Sequence, residues 1–286
     1  MTSIVSNRPA EIRGPVLLGA NGRLGRMIRS FWGDADLQAV ARRSEGGVIR
    51  GDLLAGGAQM QAILQGRGAV VCMAGVTPGP AEADLSLNVD LALVAVRAAH
   101  AAGAGRVFLA SSAAVYGRQS GVLNEATPCA PLSAYGRAKA EMEEAALALG
   151  AQLRQPVTVL RIGNVAGADA ILGGWHPAMA IDQLPDGTTP VRSYIGPQSL
   201  SVVIAALTRL RDLPAVINVA APGGVEMGAL LNAAGLAWSP RPAPSEVIAN
   251  VTLCTKGLAR YVTLPEAAAT AAGLVAEWQS WRERGE

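Results

Sequence analysis

Residues 133–139 read SAYGRAK and set Tyr135 four positions before Lys139. Lysine is scarce here: the 24 basic residues are 22 arginines and two lysines, Lys139 and Lys256, and there are four tyrosines. On a helix, residues four apart share a face, so the ammonium of Lys139 can approach the phenol of Tyr135. A charge about 4 Å away, in an effective dielectric near 20, is worth on the order of 4 kcal/mol. That would lower a phenol pKa of about 10 by up to roughly three units. A phenol so shifted would titrate nearer neutral pH. The alternative is a solvated helix face with no chemistry.

A second stretch, LLGANGRLGR (17–26), spaces Gly19, Gly22 and Gly25 as GxxGxxG, with Asn21, Arg23 and Leu24 between them. Gly19 permits a tight turn, Gly22 lets backbone approach a pyrophosphate, and Gly25 lets a helix pack on a strand. Phosphates would rest on the helix N-terminus, where free N–H groups and the dipole favour anions. The second strand would end in an acid if it held the ribose 2′-hydroxyl of NAD. Ala41, Arg42 and Arg43 stand there instead. Two guanidiniums match a 2′-phosphate, so NADP is favoured, with NAD as the alternative.

The elements that must carry these groups follow from the apolar pattern. Near-continuous apolar runs at 15–20, 37–41, 69–75, 106–112 and 157–163 read as buried strands of a parallel sheet. Helical stretches at 24–32, 53–65, 85–103 and 134–150 alternate with them. The expected fold is α/β, a Rossmann-type doubly wound parallel sheet with a small C-terminal substrate-binding lobe. Residues 1–166 form the dinucleotide-binding core, to which a helix at 199–211 and a strand at 215–220 return within 199–221. Residues 167–198 and 222–286 form the lobe and the final amphipathic helix, 264–283.

With 50% hydrophobic and 16% charged residues, the 286-residue chain is expected to fold around a sizeable core. A net charge of +2 without basic runs argues against nucleic acid as a partner. Three scattered cysteines and two histidines, without CxxC spacing, speak against a zinc site or a disulfide framework. A reducing cytoplasm is expected. MTSIVSNRPAEIRG, at the start, lacks the apolar segment of a leader, and no apolar stretch is long enough to span a bilayer.

The motifs together resemble the extended short-chain dehydrogenase/reductase family, also called the NAD-dependent epimerase/dehydratase family. The ordered set is GANGRLG (19–25), GDL (51–53), AG (74–75), NVD (88–90), SSAAVYG (111–117), YGRAK (135–139), LRIGNVAG (160–167) and VRSYIG (191–196). The resemblance implies Tyr135 as acid/base, Lys139 beside it, Ser112 on the reacting oxygen and Asn88 in the active site. It assigns Asp52, Leu53, Ala74 and Gly75 to the cofactor, Asn164, Arg192 and Tyr194 to the substrate, and Tyr116 to the pocket wall. It further implies hydride transfer on a hydroxyl or keto group of a sugar or sugar nucleotide, and a homodimer through the helices at 85–103 and 134–150.

Two departures narrow this. Only 28 residues separate Asn164 from Arg192, and no acid pair follows Ser112, where Ala113 and Ala114 stand. Dehydration is disfavoured. Oxidation of a small free sugar acid remains an alternative, as does a catalytically silent NADP-binding protein.

Overall fold

The computed structural model describes residues 13–33, 36–78 and 83–285, so the leader expectation rests mostly on residues outside the described ones. Seven short apolar runs pair as β1 (Val16–Leu18), β2 (Gln38–Ala41), β3 (Ile49–Arg50), β4 (Ala69–Cys72), β5 (Arg106–Ser112), β6 (Val157–Ile162) and β7 (Val216–Val219). Their spatial order is β7-β6-β5-β4-β1-β2-β3, with every neighbouring pair parallel. Chain order reverses between β1 and β4, and open sheets of this type bind ligands at such a reversal, beyond the carboxyl ends of the strands.

Every residue of β1, β4 and β6 is buried, as parallel strands covered on both faces require. Successive side chains point to opposite faces. Leu17, Val71, Phe108 and Leu160 join one apolar cluster, while Val16, Leu18, Val70 and Val107 join another. The second cluster is closed by α3 (Leu87–Ala101) and α4 (Ala134–Leu153), which pack along each other through Ala92, Ala95 and Ala146. The first is closed by α1 (Arg23–Phe31) and α5 (Pro197–Thr208) through Met27, Ile28, Leu200 and Ile204.

Two expected helices differ. The helix expected at 53–65 begins only at Gly57, because Asp52 caps the Leu54 N–H and residues 56 and 57 take positive φ. The final helix is a 3-10 turn at Glu266–Ala269 followed by a restart at Ala271–Glu283, where the Thr270 hydroxyl accepts from Gly273 N–H.

Beyond β6 the chain makes short pairings between distant segments. A four-stranded sheet orders Val225–Glu226, Val191–Arg192, Asn250–Leu253 and Gly121–Leu123. It therefore draws one strand from inside 1–166. Ile171, Leu172, Met179, Ile181 and Leu230 belong to the same apolar cluster as Leu17 and Val71, so this part shares an interior with the main sheet. Among the described residues no helix is long and apolar enough to cross a membrane, and no His, Cys, Asp or Glu group is arranged to hold a metal.

Candidate active site

Beyond the carboxyl ends of β1 and β4 lie two clefts of about 780 and 830 Å³. Gly22, Arg26, Met73, Gly75 and Val76 line both, so they form one groove with the glycine turn at its waist. The first half is lined by Gly19, Asn21, Arg42, Arg43, Asp52, Leu53 and Ala74. Arg23, Leu24, Ser112, Tyr135, Lys139 and Asn164 line the second. Residues scattered over 145 positions of sequence are thus gathered on one surface.

The glycine turn is built as its spacing implies. Gly19 has φ +80°, and a Cβ there would stand 2.5 Å from Ala74 N. At Gly25 a Cβ would stand 2.3 Å from the Gly19 carbonyl, so only glycine lets α1 lie this close to the turn. Gly22 precedes α1 without a side-chain cap, and the first turn carries no acid. A Cβ at Gly22 would approach only Gly19 O, at 3.2 Å, and otherwise project into open space. An uncapped helix start facing a cleft fits the pyrophosphate of a dinucleotide. Asn21 donates to the Arg43 carbonyl at 2.9 Å, and Arg29 donates to Asn21 Oδ1 at 3.1 Å and Gly46 O at 3.2 Å. These bonds hold the arginine-bearing loop against the turn.

In the second half, Ser112 ends β5 and its Oγ accepts from Ala114 N–H at 3.2 Å, starting the 3-10 turn Ala113–Tyr116. Ser133 caps α4 by accepting from Gly136 N–H at 2.9 Å, which places Tyr135 in the first helical turn. Lys139 is 4% exposed; its Nζ donates to the Ala110 carbonyl at 2.9 Å and lies 5.9 Å from the centre of the Tyr135 ring. Burial lowers the Lys139 pKa to about 8.

Tyr135 departs from the expected direction. Its own burial raises its pKa above the ordinary value, and the neighbouring Ser112 hydroxyl offsets only part of that. The ammonium faces the ring rather than capping the hydroxyl, and desolvation of the phenol sets the direction. The buried Cys72 thiol, near enough to sense Lys139, is pushed up to about 11 by desolvation.

Asn88 is 1% exposed and uses its amide on backbone: Oδ1 accepts from Val76 N–H at 3.1 Å, and Nδ2 donates to the Val76 and Leu85 carbonyls, both at 3.0 Å. It fixes the wall of the groove at Val76. Arg192 and Tyr194 do not line the groove. The Arg192 guanidinium donates to the Val191 carbonyl at 2.7 Å on the four-stranded sheet. Tyr194 is 2% exposed within the core, its phenol pushed up by burial and by the Asp169 carboxylate. Tyr116 is no pocket wall either: it is fully buried below the groove, its hydroxyl donating to Asn218 Oδ1 at 2.7 Å.

Sequence reasoning missed the wall opposite the glycine turn. Asp169 accepts from the N–H groups of Gly167, Ile171, Leu172 and Gly173, folding residues 167–173 into that wall. Burial raises the Asp169 pKa against these four bonds. The last helix, Ala271–Glu283, adds Trp278, Trp281 and Arg282, with the Arg282 guanidinium 5.2 Å from the Trp278 ring centre. The run WQSWR (278–282), aromatic on one helix face, was the available signal.

The profile of the NAD dependent epimerase/dehydratase family matches residues 16–184, more than half of the chain. The chain belongs to this family. Comparison with curated protein sequences gives no match. Among solved structures, this family member is similar to MoeE5 in complex with UDP-glucuronic acid and NAD (TM-score 0.71, 23% identity, 96% of this chain and 100% of that one). It is also similar to the UDP-N-acetylglucosamine 4-epimerase from Methanobrevibacter ruminantium M1 in complex with UDP-N-acetylmuramic acid (0.73, 19%, 94% and 99%). The UDP-glucuronic acid 4-epimerase from Bacillus cereus, in complex with UDP-glucuronic acid and NAD, gives 0.73, 16%, 94% and 99%. At these identities the likeness establishes the fold.

Proposed function

We propose that the protein is an NAD(P)-dependent oxidoreductase or epimerase acting on a hydroxyl or keto group of a sugar or sugar nucleotide. The observation that carries this reading is the joining of Ser112, Tyr135 and Lys139 to the glycine turn along one groove. When bound, the dinucleotide accepts or returns a hydride at its nicotinamide ring. The Ser112 hydroxyl holds the reacting oxygen by a hydrogen bond. Tyr135 takes the proton of the substrate hydroxyl as the hydride leaves the same carbon, and gives it back in the reverse direction. Oxidation thus leaves a ketone, and re-reduction from the other face inverts the centre. Below pH 8 Lys139 is an ammonium, and its charge stabilises the phenolate that Tyr135 must be before it takes the proton and is again once it has given the proton back. Asn88 keeps the groove wall in place, and Asn164 lines the substrate end.

Arg42 and Arg43 support NADP, while similar structures carry NAD. The UDP-sugars in those structures support a sugar nucleotide as substrate. A small free sugar acid is the second reading, favoured by the engagement of Arg192 with its own strand. A homodimer through α3 and α4 and a cytoplasmic location complete the proposal. The test is a thermal-shift panel of NAD, NADP, UDP-glucuronic acid and free glucuronic acid. A ligand at 100 times its Kd adds about 2.7 kcal/mol of stability. We expect NADP to raise Tm alone and one sugar ligand to raise it further. No response to either dinucleotide would remove the reading.

A further inference from the structure

Below the groove, Glu143 sits one helical turn past Lys139 on the inner face of α4. Its carboxylate is bonded to two strands at once. Ser111 donates from its hydroxyl to Oε1 at 2.5 Å, and Arg161 donates from Nε to both oxygens at 3.2 and 3.0 Å and from Nη2 to Oε2 at 2.8 Å. The two charged side chains are 7% and 5% exposed. Arg161 spends its remaining donors on Tyr116 Oη at 3.0 Å, the Glu125 carbonyl at 3.3 Å and Cys129 Sγ at 3.1 Å, so its guanidinium is fully used.

The bonded neighbours matter. Ser111 lies between Ala110, whose carbonyl takes the Lys139 ammonium, and Ser112. Arg161 stands three positions before Asn164 on the strand that runs to the groove. One carboxylate therefore ties together α4, β5 and β6, the three elements that carry or lead to Tyr135, Lys139, Ser112 and Asn164. Replacing a buried ion pair by apolar groups of similar volume is often neutral or stabilising, so stability alone does not account for a pair placed here.

The groups facing Lys139 point the same way. Tyr135 and Glu143 approach from α4, Cys72 from β4, the Ala110 carbonyl from β5 and the Asn88 amide beside Gly75, with Arg161 behind Glu143 on β6. Desolvation pushes the Cys72 thiol up to about 11, and Glu143, one turn along α4, is the carboxylate of this set.

Resting on the proposed hydride-transfer reading, we propose that Glu143 is a positioning residue: through Ser111 and Arg161 it fixes β5 and β6 against α4, and its charge holds Lys139 as an ammonium. Glu143→Gln keeps the shape and removes the charge, leaving Arg161 unbalanced beside Lys139. The chain contains two lysines, so the full protein labelled with ¹³Cε-lysine gives two signals, with Lys256 as internal control. Burial lowers the Lys139 pKa to about 8, so its signal should titrate near there in the natural protein and about one pH unit lower or more in Glu143→Gln. Glu143→Asp keeps the charge but withdraws it from Ser111; it should leave the Lys139 titration near the natural value and lower kcat several-fold with little change in KM. A Lys139 signal unmoved in Glu143→Gln overturns the proposal. Should that variant not fold, a Glu143→Asp kcat equal to the natural one overturns it. The lysine signal is read without substrate or cofactor, so failure of the functional reading and failure of this proposal are separate results.

Discussion

Two regions beneath the same groove treat a buried cation in opposite ways. Around Lys139, the ammonium has one carbonyl at 2.9 Å, a ring face and a thiol, with the Glu143 carboxylate acting on it without a direct bond, and its pKa falls to about 8. Around Arg161, a few residues deeper, a carboxylate, a phenol, a carbonyl and a sulfur take every donor, and the guanidinium is held even more firmly charged than usual. Both residues are nearly inaccessible, at 4% and 6% exposure for the residue as a whole. Partner supply separates them. In the proposed reaction, a cation that must respond to a changing phenol is left under-solvated, whereas one that anchors strands is saturated.

That contrast can be broken from either side. The largest stability change should come from Arg161→Met, which leaves Glu143 buried and unpaired. Loss of one partner of a buried pair costs about 3–5 kcal/mol. Denaturant unfolding should report it as a lower midpoint, and a loss under about 1 kcal/mol would mean that water reaches the pair.

Lys139→Met should act in the opposite direction. A pKa lowered from 10.5 to about 8 means that the unfolded chain binds the proton more tightly, which costs the native state up to about 3 kcal/mol below pH 8. Removing the ammonium should therefore raise Tm at pH 7 while abolishing turnover. The gain should shrink as pH rises from 8 towards 10.5, because the native lysine then sheds its proton and its burial cost disappears. A Tm gain that does not change over this range would contradict the under-solvated view of Lys139.

Much of the Lys139 region was legible in the sequence, and little of the Arg161 region was read from it. YGRAK, the glycine triplet and the buried strands are local patterns, and they map onto the start of α4, the turn into α1 and the strands of the observed sheet. The direction of the Tyr135 shift was not legible, because spacing places two residues on one face without fixing which atom the ammonium meets. Arg161 was visible as a charge inside the apolar run VTVLRI, but Glu143 stands among other acids in AEMEEA (140–145), so nothing local marked it as the other end of a buried pair. Apart from β7, which was expected at 215–220, the strands after β6 hold two to four residues and pair with segments far away in the chain, so no local period announces them. For the same reason Arg192 and Tyr194, adjacent in a plausible motif, fall on the sheet and in the core rather than at the groove.

The smallest effect belongs to the far end of the groove. Replacing Arg42 and Arg43 together by Ala should weaken NADP by roughly ten- to hundredfold, as loss of charge-assisted bonds worth about 1.5–3 kcal/mol implies. NAD affinity should change less than about threefold. Equal losses in titration calorimetry would show that these exposed side chains serve the loop and not a 2′-phosphate.

The most direct test of the account is the appearance of reduced nicotinamide in a single turnover. The natural protein and Tyr135→Phe, each loaded with oxidised NADP or NAD, would be mixed with UDP-glucuronic acid, UDP-glucose and free glucuronic acid. With one of these the natural protein should form reduced cofactor, and Tyr135→Phe should bind the cofactor equally but react about 100- to 10,000-fold more slowly. Reduction at the same rate in Tyr135→Phe would contradict the assignment of Tyr135 as the proton acceptor.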